Sequence, residues 1–174
     1  MKYNKWIFIV TVMAGVFLTS CNEDALSDNS IFDTETPERN EFDNWLLTEY
    51  VDPYNINFKY RFEDKESDQQ YNLVPAEYDK SVALAKLVKF LWLQSYEELM
   101  DDNGEFIKTY CPKIITLIGS KAYNPDSHSV VLGTAEGGLK VVLYNVNELD
   151  TENPDVEILN EWYFKTMHHE FAHI

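Results

Sequence analysis

Hydrophobic and polar positions along this chain repeat with the periods of helices and strands from about residue 41 onward. Glu41 to Tyr50 places its apolar residues on one side, which predicts a short helix that Asp52-Pro53 should end. Ile56 to Phe62 alternates apolar and polar residues in the way that a half-buried strand does. Ala76 to Met100 is apolar nearly all round in its middle, so we predict a long helix that other elements cover on most sides.

Short apolar runs follow in the second half of the chain. Lys113 to Ile118, Ser129 to Leu132 and Leu139 to Val146 each predict a strand. The last two are separated by Ala135-Glu136-Gly137-Gly138, whose turn chemistry favours a hairpin. A final helix is expected to start at Asn153-Pro154, with the asparagine as N-cap, and to run to the end of the chain. This order of elements predicts an α+β fold with a mixed or mostly antiparallel sheet.

The first twenty residues have a different pattern from the rest. Lys2 and Lys5 precede an apolar run, Trp6 to Leu18, that is too short to span a bilayer. A short basic region followed by such a run is typical of an export signal peptide, which the mature protein loses. We therefore assign residues 1–20 to a signal peptide.

A cysteine follows this run at position 21. Leu18-Thr19-Ser20-Cys21 resembles the lipobox of bacterial lipoproteins, in which the cysteine is lipidated and becomes the first residue of the mature chain. The resemblance implies several acyl chains, palmitate among them, on Cys21, and more than one chain makes membrane anchoring stable. Cys111, the other cysteine, is then expected to be a small buried hydrophobe without a disulfide partner.

Acidic residues dominate the segment after the cysteine and the chain as a whole. Residues 22–40 predict a flexible tether, so that residues 21–40 would link the lipid to a folded domain of residues 41–174. The net charge of −16 argues against a nucleic-acid partner, because phosphate contacts need clustered Lys and Arg. It argues equally against electrostatic attachment to an anionic lipid surface.

One motif carries recognisable chemistry: H-E-x-x-H at His169, Glu170 and His173. Residues four apart lie on one face of a helix, so the two imidazoles can converge on one metal ion. Zn²⁺ suits histidine nitrogens and can keep one position open for water, and the glutamate is placed to accept a proton from that water. We predict that His169 and His173 are zinc ligands and that Glu170 is the general base of a hydrolase.

Other interpretations of the histidines stay open from the residues alone. A His-rich helix end is favoured by the helix macrodipole without any metal. His168 points about 100° away from His169, so we expect it beside the metal rather than on it. His128 stands in a polar loop, where a histidine is ordinary, but it is the one spare imidazole upstream of the motif.

The motif resembles the signature of the zincin metallopeptidases, and the predicted order of elements is similar to the N-terminal subdomain of their fold. The lipobox together with His168 to Ile174 resembles, more narrowly, the zinc metallopeptidase lipoproteins of TonB-dependent, SusD-like outer-membrane uptake systems. The resemblance implies peptide or protein substrates, held by an edge strand that we place in the 129–146 hairpin. It also implies a lipid-anchored location at the outer membrane, on the cell surface or on the periplasmic face.

The end of the chain departs from the family's pattern. Catalytic zinc usually has three protein ligands and a water, and in zincins the third ligand follows the motif helix. Only Ile174 follows His173, so we expect the third ligand and a C-terminal subdomain to be missing, and the chain alone to be inactive. The leading hypothesis is a zinc metallopeptidase. The alternatives are a non-catalytic, lipid-anchored binding subunit of an uptake complex with a degenerate zincin fold, and metal capture for import.

Overall fold

The computed structural model describes residues 38–63, 65 and 70–172. All of these except Glu38 belong to one compact unit, Arg39–Ile174. The predicted signal peptide, Cys21 and most of the tether fall outside the described residues, as do His173 and Ile174. In the part of the chain that is described, no helix has the length and apolar character needed to cross a membrane.

Helix α1 extends further than the sequence predicts. It comprises Glu41–Leu46, a π-helical segment, Leu47–Val51, and a last turn, Asp52–Tyr54. Asp52-Pro53 therefore does not end the helix. The proline is tolerated because it lies in the first turn after the π-helical segment, where a missing N–H costs little. The helix ends instead at Asn55, which adopts a left-handed conformation with φ 55°.

Helix α2 is the predicted long helix. It runs through Tyr78–Val88, a π-helical segment, Lys89–Leu93, and Gln94–Met100. Trp92 and Leu93 are both buried, because the wider π-helical turn lets adjacent side chains face the core. The expected coverage is incomplete on the described chain, where Phe90 stays 66% exposed.

A second, shorter helix follows α2 directly. Helix α2 ends at Asp101, whose backbone is in the left-handed conformation. Helix α3, Glu105–Tyr110, begins after a turn. The sequence pattern did not predict α3, because its 6 residues are too few to show a helical period.

The sheet has four strands in the order β1-β2-β6-β5. Strand β1 (Asn57–Lys59), which is shorter than predicted, pairs in parallel with β2 (Ile114–Leu117). Strand β2 pairs in parallel with β6 (Lys140–Leu143), and β5 (Gly133–Glu136) runs antiparallel to β6 at the edge. The mixed sheet and its helices confirm the predicted α+β class.

The predicted hairpin exists, but with another first strand. Residues 129–132 do not pair with β6, because Val130–Val131 (β4) pairs antiparallel with Ala122–Tyr123 (β3) in a separate two-stranded sheet. The strand that pairs with β6 is β5. Gly137 and Gly138 have positive φ angles of 59° and 73°, which suits glycine and confines the turn to the residues after β5.

The last helix, α4, carries His169 and Glu170 of the motif. It comprises Val156–Leu159, a π-helical segment, Asn160–Phe164, and Lys165–Phe171. Its N-cap is Asp155 rather than the predicted Asn153, and the Asp155 carboxylate accepts hydrogen bonds from the N–H groups of Glu157 and Ile158. The N–H of Asn153 instead donates to Asp150 in the preceding turn, which places that residue outside the helix.

The main core lies on one face of the sheet, where β2 and β6 pack against α1, α2 and α4. A smaller cluster consists of Ile118, Ala122, Val142 and Tyr144. Its member on β6, Val142, lies between two main-core residues and therefore points to the opposite face of the sheet. Cys111 is 2% exposed and lies in the main core, as predicted for a small hydrophobe. This core fixes α4 against the sheet, and thereby sets the position of the motif.

Candidate metal centre

The beginning of the H-E-x-x-H motif lies on a regular stretch of α4. Met167 and Phe171 are buried, with 1% and 7% of their surface exposed, whereas His169 between them is exposed. The N–H of Ala172 donates to the carbonyl oxygens of His168 and His169, at 3.0 and 3.2 Å, so helical bonding continues through this stretch. Met167 and Phe171 therefore face the core, and His169 lies on a different side of the helix.

The three predicted site residues are described to different extents. His169 is described with its side chain, Glu170 belongs to α4 by its backbone, and His173 lies outside the described residues. Among the residues that are described, no three His, Cys, Asp or Glu side chains are grouped closely enough to hold a metal. The assignment of two zinc ligands and a general base therefore stays a prediction. What the described geometry contributes is an exposed imidazole on a helix, which suits a zinc ligand.

His168 is held by a neighbouring helix. Its Nδ1 lies 3.1 Å from Oη of Tyr96 in α2, and the two rings are 5.7 Å apart at their centroids. Desolvation at this contact lowers the pKa of His168, which favours the neutral imidazole. The contact places the His168 ring on the α2 side of the helix, in keeping with a residue beside the metal site.

The end of α4 is anchored by a cluster of aromatic rings. Phe171 makes edge-to-face contacts with Trp92, Tyr96 and Phe106, at centroid distances of 5.5, 5.0 and 5.7 Å. Such pairs contribute about 0.5–1.5 kcal/mol each beyond the burial of their area. The sequence did not single out Tyr96 or Phe106, because no local pattern links them to a helix about 65–75 residues further along the chain.

On another side, α4 packs against the edge strand β5. A Cβ atom added to Gly133 would lie 2.5 Å from Cγ2 of Thr166, so strand and helix approach each other closely here. Within the described chain β5 has one strand neighbour, β6, so it lies at the edge of the sheet. The edge strand of the observed hairpin is therefore β5, and its role in holding substrate stays a prediction. A glycine within a strand pattern is the signal that identifies this close approach in the sequence.

Features elsewhere on the described surface do not extend this site. His128 is exposed in the loop between β3 and β4, with a left-handed φ of 55°. Two open clefts have volumes of about 300 and 410 Å³ and are lined respectively by residues around β1 and by residues that follow β2 and β6. Neither cleft is lined by a residue of α4.

A mixed sheet with an antiparallel edge strand lies beside the helix that carries His169 and Glu170. The model of a family described as "putative zinc-binding metallo-peptidase" matches residues 35–174, and the chain belongs to this family.

Comparison with solved structures gives a similar result. The crystal structure of a "putative zinc-binding metallo-peptidase" from Bacteroides caccae is 53% identical to this chain, with a TM-score of 0.61. The match covers 83% of this chain and 53% of the solved one, so this chain spans about half the length of that relative. Comparison with curated proteins gave no match.

Proposed function

We propose that the chain is part of a zinc-dependent metallopeptidase, with His169 and His173 as ligands and Glu170 as general base. The observation that carries the proposal is the exposed His169 on a helix packed against the edge strand β5, in a chain whose family is described as zinc-binding. The third ligand is proposed to come from a segment that this chain does not contain.

Bound zinc would supply the Lewis acidity that lowers the pKa of a water molecule to about 7 and polarises the peptide carbonyl. The residues of the chain have separate tasks. His169 and His173 hold the ion through neutral imidazole nitrogens. Glu170 takes a proton from the attacking water and delivers it to the amine that leaves. Strand β5 pairs through its outer edge with an extended peptide, which holds the scissile bond near α4.

The replacement of Glu170 by Gln tests the base directly. Glu170→Gln keeps the size of the side chain and removes its ability to accept a proton, so kcat should fall by about 10²–10⁴-fold while bound zinc is retained. The measurement is hydrolysis of a fluorogenic peptide library by protein produced at the length of its solved relative. His128→Gln, in an exposed loop, is the control and should leave kcat unchanged. A Glu170→Gln variant with unchanged kcat, or a wild type that holds no zinc, would refute the proposal.

We propose, on the lipobox and the acidic segment, that residues 1–20 direct export and that lipidated Cys21 anchors the protein to the outer membrane. A labelled fatty acid should be incorporated by the wild type and not by Cys21→Ala. Cys111→Ala is the matched control, because that thiol is buried in the core. Label on the Cys21→Ala protein would contradict the anchor.

The proposed partner of the anchored protein is a TonB-dependent, SusD-like uptake system, on the resemblance of the lipobox and motif. Purification from outer membranes solubilised in mild detergent should recover the transporter with the tagged wild type. The Cys21→Ala variant, which lacks the anchor, is the control. Recovery of the wild type alone would remove this partner from the proposal.

A further inference from the structure

Strand β5 and helix α4 meet at a point where the strand has no side chain. A Cβ atom at Gly133 would lie 2.5 Å from Cγ2 and 3.4 Å from Cβ of Thr166. Carbon atoms in proteins do not approach to 2.5 Å, so the Thr166 side chain or one of the two elements would have to move. Gly133 is not among the glycines with positive φ. The residue is therefore small for reasons of space rather than of backbone conformation.

Contacts on both β5 and α4 restrict their movement at this point. Thr166 is β-branched, and on a helix its χ1 is limited mainly to two rotamers. The next residue, Met167, is 1% exposed, and Phe171 is enclosed by three aromatic rings, so α4 is fixed from its far side. On the strand, Gly133 pairs with Leu143, and the added Cβ would also lie 3.1 Å from the carbonyl oxygen of Val142. A side chain at this position would push β5 and α4 apart.

The contact bears directly on the motif. Thr166 precedes His169 by three residues, so the two side chains lie on neighbouring positions of one helix face. The separation of β5 from this face therefore sets how far a peptide paired with β5 lies from His169. Reactions in active sites are sensitive to this distance, because a displacement of about 1 Å can cost about 10²-fold in rate.

We propose that Gly133 is a positioning residue, which sets the distance between a substrate strand on β5 and the metal-binding face of α4. This inference rests on the proposed peptidase function and identifies a determinant of its cleft. Gly133 touches neither metal nor substrate through a side chain. It acts through the distance between β5, which would pair with the substrate, and α4, which would hold the metal.

The test is Gly133→Ala in the zinc-loaded protein, produced at the length of its solved relative. We expect kcat/KM for peptides to fall by about 10- to 100-fold, while zinc affinity, measured by competition with a chelator, stays within about twofold. Thr166→Ala alone should change neither quantity. The double variant Gly133→Ala/Thr166→Ala should recover most of the lost activity, because the nearest remaining atom of residue 166 is its Cβ, at 3.4 Å.

Gly137→Ala is the matched control for a loss of stability. Gly137 lies in the turn of the same hairpin, has a φ of 59°, and has no atom within 4 Å of an added Cβ. An alanine there strains the backbone without pressing on α4. Gly133→Ala should therefore lower kcat/KM far more than Gly137→Ala at a similar loss of stability, measured by urea denaturation. Equal effects of the two changes, or no recovery in the double variant, would overturn the positioning role.

A second measurement separates this inference from the proposed function. A wild type that binds zinc but hydrolyses no peptide counts against the function. The spacing is then decided by a crystal structure of Gly133→Ala. An increased distance between β5 and α4 supports the positioning role, and an unchanged distance overturns it.

Discussion

Around the motif, individual side chains decide how α4 is held. Tyr96 contributes both a ring, packed on Phe171 at 5.0 Å, and a hydroxyl, 3.1 Å from Nδ1 of His168. The ring contact is apolar and anchors the end of the helix. The hydrogen bond joins α2 to the residue that precedes His169. These two contributions can be separated by a change that removes only the hydroxyl.

Tyr96→Phe is that change. It should lower the free energy of unfolding by about 0.5–1.5 kcal/mol, the usual net contribution of one hydrogen bond, because the ring packing is retained. Zinc affinity should fall only a few-fold, since His168 is proposed to lie beside the metal. Urea denaturation and chelator competition measure the two effects. Tyr110→Phe, on the exposed part of α3, is the control. A complete loss of zinc binding in Tyr96→Phe would contradict this role for His168.

At the scale of elements, a hydrogen-bonded network joins the start of α1 to the residues after β1. The Asp43 carboxylate accepts from the N–H of Asn40 at 3.0 Å, the hydroxyl of Tyr60 at 2.8 Å and the guanidinium of Arg61 at 2.6 Å. Burial on its own would raise the pKa of Asp43, but these donors outweigh it and lower the pKa below its usual value. The carboxylate therefore stabilises the fold in its ionised form.

Asp43→Asn should show this as a pH-dependent difference in stability. The folded-state pKa is below the unfolded value of about 3.9, so the stabilisation is complete above pH 3.9 and is lost as the pH falls through the folded pKa. At pH 6 the variant should be about 1 kcal/mol less stable, a typical cost of a lost helix cap, and the difference should close towards pH 2. Chemical denaturation across this range is the measurement. Glu41→Gln, in the same first turn, is the control. A difference that does not change with pH would contradict the assignment.

The same elements show what the sequence pattern can and cannot predict. The long helix and strand β2 were predicted from continuous apolar runs, and the last helix was predicted from the residues expected at its start. The boundaries that were wrong include those at Pro53, at Asn153 and in the 129–132 segment. Each was decided by an interaction that a period does not encode: a π-helical turn before the proline, a competing bond to Asp150, and strand pairing with β3.

The candidate site was predictable to a different extent. H-E-x-x-H is local, so the sequence alone identifies His169 and its place on a helix. The contacts of Tyr96 and Gly133 with α4 depend on tertiary packing between distant segments, and only the structure places them together. The motif therefore indicates the chemistry, while the surroundings that orient it come from the fold.

At the scale of the whole molecule, the described unit leaves apolar surface uncovered. Phe90, Leu99 and Val156 are 66%, 76% and 76% exposed, on α2 and at the start of α4. The solved relative is about twice as long as the matched region. Stability and metal binding should therefore be compared between this chain and a version of the relative's length. The two properties are linked, because a metal ion held by a complete set of ligands, including the proposed third one, also stabilises the fold.

Zinc should stabilise the longer protein by mass action, because the ion binds the folded state through ligands that the fold assembles. At a free zinc concentration of 100 times the dissociation constant, the gain is about 2.7 kcal/mol, and a chelator should reverse it. The measurement is the midpoint of thermal unfolding with zinc and with chelator. His169→Ala should abolish the zinc-dependent increase, while His128→Ala, in an exposed loop, should retain it. An increase that survives in His169→Ala would show that zinc is held elsewhere, and an increase lost in His128→Ala would bring that loop into the site.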